Sequence, residues 1–154
     1  MLIASLLVNA GNISCQKDSA SSKKRVLENM SHLLATNTKL ITTDKIFQAL
    51  LERERLGTTG LGKGVAIPHA RIPGITHTIG AMMTLASPIN YEASDKQPVD
   101  IIFGLLVPEE DSEYHLKHLA RLVTLFRDPQ ICQSIRDTTN ADNLFDLLLA
   151  IDDD

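Results

Sequence analysis

The sequence predicts an α/β fold in which a mixed β-sheet is sandwiched between α-helices, and three observations support this fold class. Segments with apolar residues at helical spacing stand towards both ends of the chain, with strand-like segments between them. Residues 100–107 (DIIFGLLV) are apolar nearly throughout, which is typical of a strand covered on both faces. Aromatic residues make up only 4% of the chain and there is no Trp, so a mainly aliphatic core is expected, which favours helices or an α/β arrangement.

The composition indicates one domain over residues 1–154 and argues against several kinds of partner. The chain has 154 residues, 44% of them hydrophobic, and a formal net charge of −4, as expected for one soluble globular domain. Because the net charge is negative and no run of Lys and Arg is longer than three residues, we expect neither nucleic acid nor an anionic membrane as a partner. Cys15 and Cys132 form no CxxC pair, which favours a reducing compartment and predicts a cytoplasmic protein. The apolar start of the chain lacks a basic region and is too short to span a bilayer, so no membrane insertion is expected.

Five segments are predicted to be helices. The first begins near Ser22 and ends near Thr36, and the second runs from Thr43 until Gly57 stops it. Three more follow the strands: residues 112–127, a short helix from Pro129 to about Arg136, and a last helix capped by Asn140 or Asp142.

The strands are predicted in the middle of the chain. Residues 65–67 form a short strand ended by Pro68, and residues 100–107 form a buried one. Residues 57–64 (GTTGLGKG) hold four of the eight glycines and are predicted to be a loop. Residues 77–85 form a further strand with one apolar face made of Ile79, Ala81, Met83 and Leu85.

The glycine loop is the first candidate for anion binding. Residues 57–63 satisfy seven positions of the nucleotide-binding P-loop pattern, but Gly64 replaces the required Ser or Thr, and the loop follows a helix instead of a strand. Nucleotide binding is therefore disfavoured. A glycine-rich backbone can still turn several N–H groups toward an anion. We expect the loop to hold a phosphoryl group, with Thr58, Thr59, Gly60 and Gly62 as candidate residues.

His69 is the candidate nucleophile. It follows Pro68 just past the end of a short strand, so its ring is predicted to be held but accessible. An imidazole with an ordinary pKa of about 6.5 has a free lone pair near neutral pH and can attack phosphorus. A backbone carbonyl can hold the second ring nitrogen and fix the tautomer. An exposed loop histidine without a role is the alternative that the residues leave open.

The helix at 112–127 carries a second candidate histidine. At 100° per residue its apolar side chains form one arc with His115 in the middle and His118 at the edge. The His115 imidazole is therefore expected to point inward, toward one end of the sheet. Two alternatives stay open: a hydrogen-bonded core histidine, and a metal site with His118 and Glu113 that no HExxH or Cys partner supports. The arc consists of Leu116, Leu119, Leu122, Val123 and Phe126.

Arg53 and Arg55 end the second helix just before the glycine loop. Cations there complement the helix dipole and usually point to water. Arg53 lies at the margin of the buried face, so its guanidinium is expected to reach a phosphoryl oxygen at the loop.

The sequence around His69 resembles a known signature. Glu54, six further residues and then residues 61–70 (LGKGVAIPHA) resemble the signature of the fructose/mannitol-type, or type 2, EIIA domains of the bacterial phosphoenolpyruvate:sugar phosphotransferase system (PTS). The resemblance covers about residues 22–150, and it implies a mixed sheet sandwiched between helices. It is closer still to the nitrogen-regulatory branch, because of residues 22–28 (SKKRVLE), 53–60 (RERLGTTG), 97–100 (QPVD) and 105–108 (LLVP).

The resemblance implies a role for each candidate residue. His69 would accept a phosphoryl group, as a tele-phosphohistidine, from a phosphohistidine carrier similar to HPr. His115 would be the second active-site histidine, and Arg53 would lie near the phosphorylated one. Such a phosphotransferase needs no metal and no cofactor, because positioning and charge stabilisation supply the catalysis. His118 and residues 1–20 have no clear counterpart in the family pattern.

Three functions stay open at this point. The first is a nitrogen-PTS EIIA phosphocarrier that regulates partner proteins according to its phosphorylation state. The second is a sugar-specific EIIA that passes its phosphoryl group to a separate EIIB for fructose or mannitol uptake. The third is a pure binding module, which the presence of Arg53, His69 and His115 together disfavours. The sequence identifies neither the regulated partners nor the active phosphorylation state, and it leaves the oligomeric state open, a dimer included.

Overall fold

The computed structural model describes residues 3–7, 9–17, 21–110 and 112–152, without the side chains of Lys17 and residues 112–115. Two 3-10 turns, Ile3–Leu6 and Ala10–Asn12, precede the first strand. The strands are β1 (Ile13–Lys17), β2 (Gly60–Gly62), β3 (Val65–Ala66), β4 (His69–Ile72), β5 (Ile79–Ile89) and β6 (Val99–Pro108). The helices are α1 (Lys23–Ala35), α2 (Thr43–Leu56), α3 (Ser112–Phe126), α4 (Pro129–Asp137) and α5 (Ala141–Asp152).

Helix boundaries follow the capping residues that the sequence indicates. The Ser22 hydroxyl accepts the N–H of Arg25 at 3.2 Å and starts α1, because a helix leaves its first N–H groups without backbone partners. Of the two caps considered for α5, the Asn140 side chain is the one used, since it accepts the N–H of Asn143 at 2.8 Å. None of the helices among the described residues is long and apolar enough to cross a membrane.

The sheet is mixed and is built around β6. The strand order is β1-β5-β6-β3-β2, and β4 also pairs with β6. On one side β5 runs antiparallel to β6, and on the other side β3 and β4 run parallel to it. Because β3 pairs with residues 101–102 and β4 with residues 105–108, these two short strands lie one after the other along the same edge of β6.

Helices cover both faces of the sheet, which confirms the predicted α/β sandwich. One hydrophobic cluster joins α1 and α2 to one face, and a second joins α3, α4, α5 and the N-terminal turns to the other. Strand β6 contributes Ile102 and Leu106 to the first cluster and Ile101 and Phe103 to the second, as a strand buried on both faces must. The predicted apolar face of β5 is confirmed in the first cluster: Ile79, Ala81, Met83 and Leu85.

The middle of the chain is more extended than the sequence predicts. Part of the expected loop at 57–64 is strand β2, because Gly60 and Gly62 pair with Ala66 and Val65 of β3. The strand expected from residue 77 starts at Ile79 and continues to Ile89. The strands β1 and β4 were not predicted, since both are short and carry no long alternating pattern.

The N-terminal segment belongs to the fold although the family pattern did not assign it a place. The side chains of Ile3, Leu6 and Leu7 are buried in the second cluster. The carboxylate of Asp152, at the end of α5, accepts the N–H groups of Ile3 at 2.8 Å and Ala4 at 2.7 Å. The two ends of the described chain are therefore hydrogen-bonded to each other.

Helix α3 is rotated relative to the predicted arc. Leu116, expected to be buried, is 59% exposed, whereas His118, expected at the edge of the arc, is only 3% exposed. Two residues along a helix correspond to a turn of about 200°, so only one of this pair can face inward. The buried face runs through His118, Leu122, Leu125 and Phe126.

Candidate functional site at His69

The sequence predicts His69 just past the end of a strand, but in the structure His69 is part of the sheet. It is the first residue of β4 and stands opposite Leu105 of β6. The carbonyl of Pro68 accepts the N–H of Leu105 at 3.0 Å, so the backbone on the N-terminal side of His69 is anchored to the central strand. The backbone that carries the ring is therefore fixed at the start of β4, and the His69 side chain is half-buried.

One ring nitrogen of His69 is engaged by the backbone. Its Nδ1 lies 2.8 Å from the carbonyl oxygen of Ile67. A carbonyl oxygen only accepts, so Nδ1 carries the proton and the neutral ring keeps a lone pair on Nε2. This is the kind of carbonyl contact expected from the sequence, and it leaves Nε2 as the ring nitrogen with a free lone pair.

The surroundings of His69 favour its neutral form. Burial is the main cause that lowers the pKa of His69 below its ordinary 6.5, and the positive charge of Arg53 lowers it further. The hydrogen bond to Ile67 and the negative charge of Glu54 act in the opposite direction and reduce that shift. At neutral pH the ring is thus ready to act as a nucleophile.

Arg53 and His69 line the same cleft, together with Glu52, Leu56 and Arg71. A guanidinium N–H of Arg53 (Nη1) donates to the carbonyl of Gly57 at 2.9 Å, which holds the side chain at the end of α2. Arg53 is positioned near the ring by the same turn that ends the helix. Its remaining N–H groups can bind an anion in this cleft.

Arg71 was missed in the sequence analysis. It stands two residues after His69 on β4 and projects from the same face of the strand, because side chains alternate. It lines the Arg53 cleft and also a second recess on the other side of His69. Recognition of β4 as a strand would have found it, but four residues are too few for a periodic signal.

The second recess is mainly apolar and brings α3 to the site. It contains His69 and Arg71, and its apolar wall consists of Leu105, Val107, Pro108, Leu116 and Leu119. The rotation of α3 therefore places an exposed leucine, Leu116, beside the candidate nucleophile. His115 precedes Leu116 in α3, but its side chain lies outside the described residues, as does that of Glu113 in the metal-site alternative.

Two of the candidate loop residues, Thr59 and Gly60, have backbone N–H groups that already have acceptors within the protein. The N–H of Thr59 is directed to the Glu54 carboxylate at 3.2 Å, and the N–H of Gly60 donates to the Thr58 hydroxyl at 3.1 Å. Both N–H groups therefore already have an acceptor within the protein, the side chain of Glu54 or of Thr58. Gly62 has a φ of +97° and serves the tight turn of the hairpin.

Below the loop lies a polar network that the sequence analysis did not predict. The Glu54 carboxylate contacts the hydroxyl of Thr59, the hydroxyl of Tyr91 at 3.2 Å and the Lys23 ammonium at 2.8 Å. Burial raises the pKa of Tyr91 far above its ordinary value, and the Glu54 charge raises it further, so the phenol stays protonated. Lys23 and Glu54 occur in the segments of family resemblance, but no local pattern connects Tyr91 to them.

Comparisons with known proteins show the family of the chain. Residues 6–151 match the family model described as "Phosphoenolpyruvate-dependent sugar phosphotransferase system, EIIA 2". The chain therefore belongs to the type 2 EIIA family of the phosphotransferase system. The match extends further toward the N-terminus than the predicted 22–150.

Within this family the chain is similar to nitrogen regulatory proteins. It is 40% identical to the "Nitrogen regulatory protein" of Bradyrhizobium diazoefficiens over 128 residues, which cover 83% of each chain. It is 37% identical to that of Pseudomonas aeruginosa over 130 residues, 84% of each chain. The crystal structure of the nitrogen regulatory protein IIA-Ntr from Neisseria meningitidis superimposes with a TM-score of 0.87 at 35% identity, covering 95% of this chain and 98% of that one. The predicted resemblance to the nitrogen-regulatory branch is thus confirmed.

Proposed function

We propose that this protein is a nitrogen-PTS phosphocarrier that accepts a phosphoryl group on Nε2 of His69 from the phosphohistidine of an HPr-like carrier. The observation that carries the proposal is the bond between Nδ1 and the Ile67 carbonyl, because it leaves Nε2 unprotonated beside a cleft that contains Arg53. Family membership supports phosphotransfer as the general role. The protein would act as one cytoplasmic domain over residues 1–154, without a metal or a cofactor.

The transfer needs little covalent work from the protein. The Nε2 lone pair of neutral His69 attacks phosphorus in line with the phosphorus–nitrogen bond of the donor. That bond breaks with its electron pair on the donor ring, which was protonated on its other nitrogen and leaves as neutral imidazole. The proton of His69 stays on Nδ1 and is donated to the Ile67 carbonyl. The phosphorylated ring is therefore cationic, and the charges balance.

Arg53 and His115 would stabilise the phosphoryl oxygens during the transfer. The Arg53 guanidinium lines the His69 cleft, and a fixed cation there lowers the cost of charge on the equatorial oxygens. The role of His115 rests on the family resemblance. The loop 58–62 would support the ring and would not bind the phosphate through the N–H groups of Thr59 and Gly60, which have acceptors inside the protein.

Exposed leucines around His69 support docking of a carrier protein. Leu56 is 85% exposed and lines the Arg53 cleft, and Leu116 is 59% exposed and lines the apolar recess. Large exposed apolar side chains on both sides of a reactive group are typical of a protein–protein contact. The phosphoryl oxygens carry a charge of about −2 next to a cationic ring, so phosphorylation adds a net charge of about −1 between these leucines. Regulated partners that bind this surface would therefore distinguish the phosphorylated from the unphosphorylated protein.

The proposal is tested by incubating the protein with phosphoenolpyruvate, the first enzyme of the phosphotransferase system and an HPr-type carrier. Wild type should gain one acid-labile phosphate, measured by intact mass, and His69→Ala should gain none. His115→Ala should be phosphorylated more slowly, since the acceptor nitrogen is still present. An unchanged rate in that variant would remove His115 from the site.

The choice of carrier separates the nitrogen function from the sugar-specific alternative, which the family description keeps open. Carriers of the nitrogen branch and of the sugar branch should be compared, followed by addition of fructose- and mannitol-type EIIB domains. Faster phosphorylation by the nitrogen carrier without onward transfer supports the nitrogen function. Rapid onward transfer to an EIIB supports the sugar function, and failure of every carrier supports a binding module.

A further inference from the structure

We propose that Glu54 is a positioning residue for His69, which acts through Thr59 and Ile67 to keep the Nδ1 proton in place. This inference rests on the proposed phosphoryl transfer for its purpose. Glu54 contacts Thr59, Thr59 contacts Ile67, and Ile67 contacts the ring. Each of these three contacts is a hydrogen bond.

The first step is the contact between Glu54 and Thr59. The Glu54 side chain is only 6% exposed, although it stands in the last turn of α2. Its two carboxylate oxygens lie 3.2 and 3.3 Å from the backbone nitrogen of Thr59, and one also accepts the Thr59 hydroxyl. A carboxylate that accepts both donors of one residue fixes its backbone and its side chain together.

The second step connects Thr59 to the ring. The carbonyl of Thr59 accepts the N–H of Ile67 at 3.0 Å. The carbonyl of Ile67 in turn accepts the Nδ1 proton of His69 at 2.8 Å. The position of the Ile67 carbonyl, which selects the tautomer, therefore depends on Thr59 and, through two successive hydrogen bonds, on Glu54.

Lys23 and Tyr91 hold the carboxylate in its place. The Lys23 ammonium lies 2.8 Å from Glu54 and 4.8 Å from the centre of the Tyr91 ring, so it binds both. The Tyr91 hydroxyl lies 3.2 Å from Glu54 and 3.0 Å from the Thr59 hydroxyl. Tyr91 itself is fully buried. The loop, α1 and α2 are thereby joined at one buried charge, which has donors enough to offset its desolvation.

This arrangement predicts a specific loss when the charge is removed. In Glu54→Gln the amide keeps the size of the side chain but weakens the bonds to Thr59 and leaves Lys23 without its carboxylate partner. The Ile67 carbonyl then holds Nδ1 less well. A larger share of the Nε2–H tautomer is expected, and that tautomer has no lone pair on the attacking atom.

The decisive measurement is nitrogen NMR of the His69 ring in the unphosphorylated protein near pH 7.5. Wild type should be in the Nδ1–H form, and Glu54→Gln should shift toward Nε2–H. The kcat for phosphorylation by the carrier should fall by about tenfold or more, with KM for the carrier little changed, because the docking leucines are untouched. Partial recovery in Glu54→Asp would support a positioning role for the carboxylate.

Glu92→Gln is the matched control. Glu92 is exposed and lines the same shallow recess as Glu54 and Lys23, so the substitution removes one negative charge nearby without a contact to Thr59. Its tautomer and rate should equal those of wild type. An equal effect of the two substitutions would mean that Glu54 acts only through its charge and would overturn the inference.

Thr59→Val provides a second test in case Glu54→Gln does not fold. It keeps the ion pair between Glu54 and Lys23 but removes the hydroxyl bond, so a smaller tautomer shift is expected. A folded Glu54→Gln variant with the wild-type tautomer and rate contradicts the inference. A tautomer shift in a protein that no carrier phosphorylates would preserve the positioning role and reject the proposed function.

Discussion

The reactivity of His69 depends on where its protons are. With one proton on Nδ1, Nε2 has a lone pair; with a second proton, the ring is a cation and cannot attack phosphorus. Burial of the ring, and the nearby Arg53 charge, oppose that second proton. The cation that we propose stabilises the phosphoryl oxygens therefore also helps burial to keep the ring neutral.

We expect the pKa of His69 to lie below 6.5, because burial and the Arg53 charge together lower it more than the Ile67 bond and Glu54 raise it. The midpoint of the decline in phosphorylation rate with falling pH should then lie below pH 6.5. An NMR titration of the ring gives the pKa directly. A midpoint above 6.5 would contradict the expectation.

The same shift should appear in stability, and its sign follows from linkage. Between the folded pKa and 6.5 the unfolded chain binds more protons at His69, so the free energy of unfolding decreases as the pH falls through this window. Above this pH window the ring is neutral in both the folded and the unfolded state, so His69 no longer lowers the free energy of unfolding. His69→Gln should reduce this part of the pH dependence in urea unfolding, and the comparison with wild type separates His69 from other groups.

At the scale of elements, side chains from other parts of the chain hold the hairpin β2–β3 in place. The Arg136 guanidinium of α4 donates to Asp100 at 2.9 Å and to the carbonyl of Lys63 at 3.0 Å. The Asp95 carboxylate accepts the N–H of Lys63 at 2.9 Å. Gly64, with a φ of +84°, lets Arg136 approach the backbone closely, since a Cβ there would stand 2.4 Å from its Nη2.

Gly64→Ala is expected to destabilise the protein by about 2–4 kcal/mol, through an unfavourable positive φ and displacement of the Arg136 side chain. Urea unfolding measures the change. Gly74→Ala is the matched control, because Gly74 has a φ of +90° but no atom within 4 Å of an added Cβ. It should cost only the backbone strain, about 1 kcal/mol. Equal losses would show that the Arg136 contact contributes nothing.

At the scale of the whole molecule, the two hydrophobic layers meet at β6 and the ends of the chain close the second layer. The N-terminal turn packs into the same cluster as α3 and α5. The Asp152 carboxylate joins this turn to α5 through two backbone N–H groups. This closure is on the sheet face opposite α1 and α2, so it supports the fold without contributing to the His69 cleft.

Asp152→Ala should lower the free energy of unfolding by about 1–3 kcal/mol, because two backbone donors lose a charged acceptor. Hydrogen exchange should speed up at Ile3 and Ala4, and the phosphorylation rate should stay unchanged. Asp146→Ala removes an exposed carboxylate from the same helix and serves as the control. Equal exchange in the two variants would show that Asp152 does not hold the N-terminal turn.

Much of the fold was accessible from the sequence because its signals are local. The caps at Ser22 and Asn140 predicted helix starts, and the apolar run at 100–107 predicted a strand covered on both faces. Short elements were not predicted: β4 has four residues and β2 has three, too few for a period to be visible. The rotation of α3 was also missed, since its apolar side chains form a stripe wider than the face that is buried.

The sequence by itself determined the α/β class, the helices and the residue types that can transfer a phosphoryl group, because spacing, caps and the His69 motif are properties of neighbouring residues. Only the tertiary structure decided which nitrogen of His69 is free and which groups surround it. Ile67, Thr59 and Glu54 act on the ring through hydrogen bonds between separate elements, and Lys23 and Tyr91 join them from far away in the chain. Such contacts depend on packing and distance, which no local pattern of residues specifies.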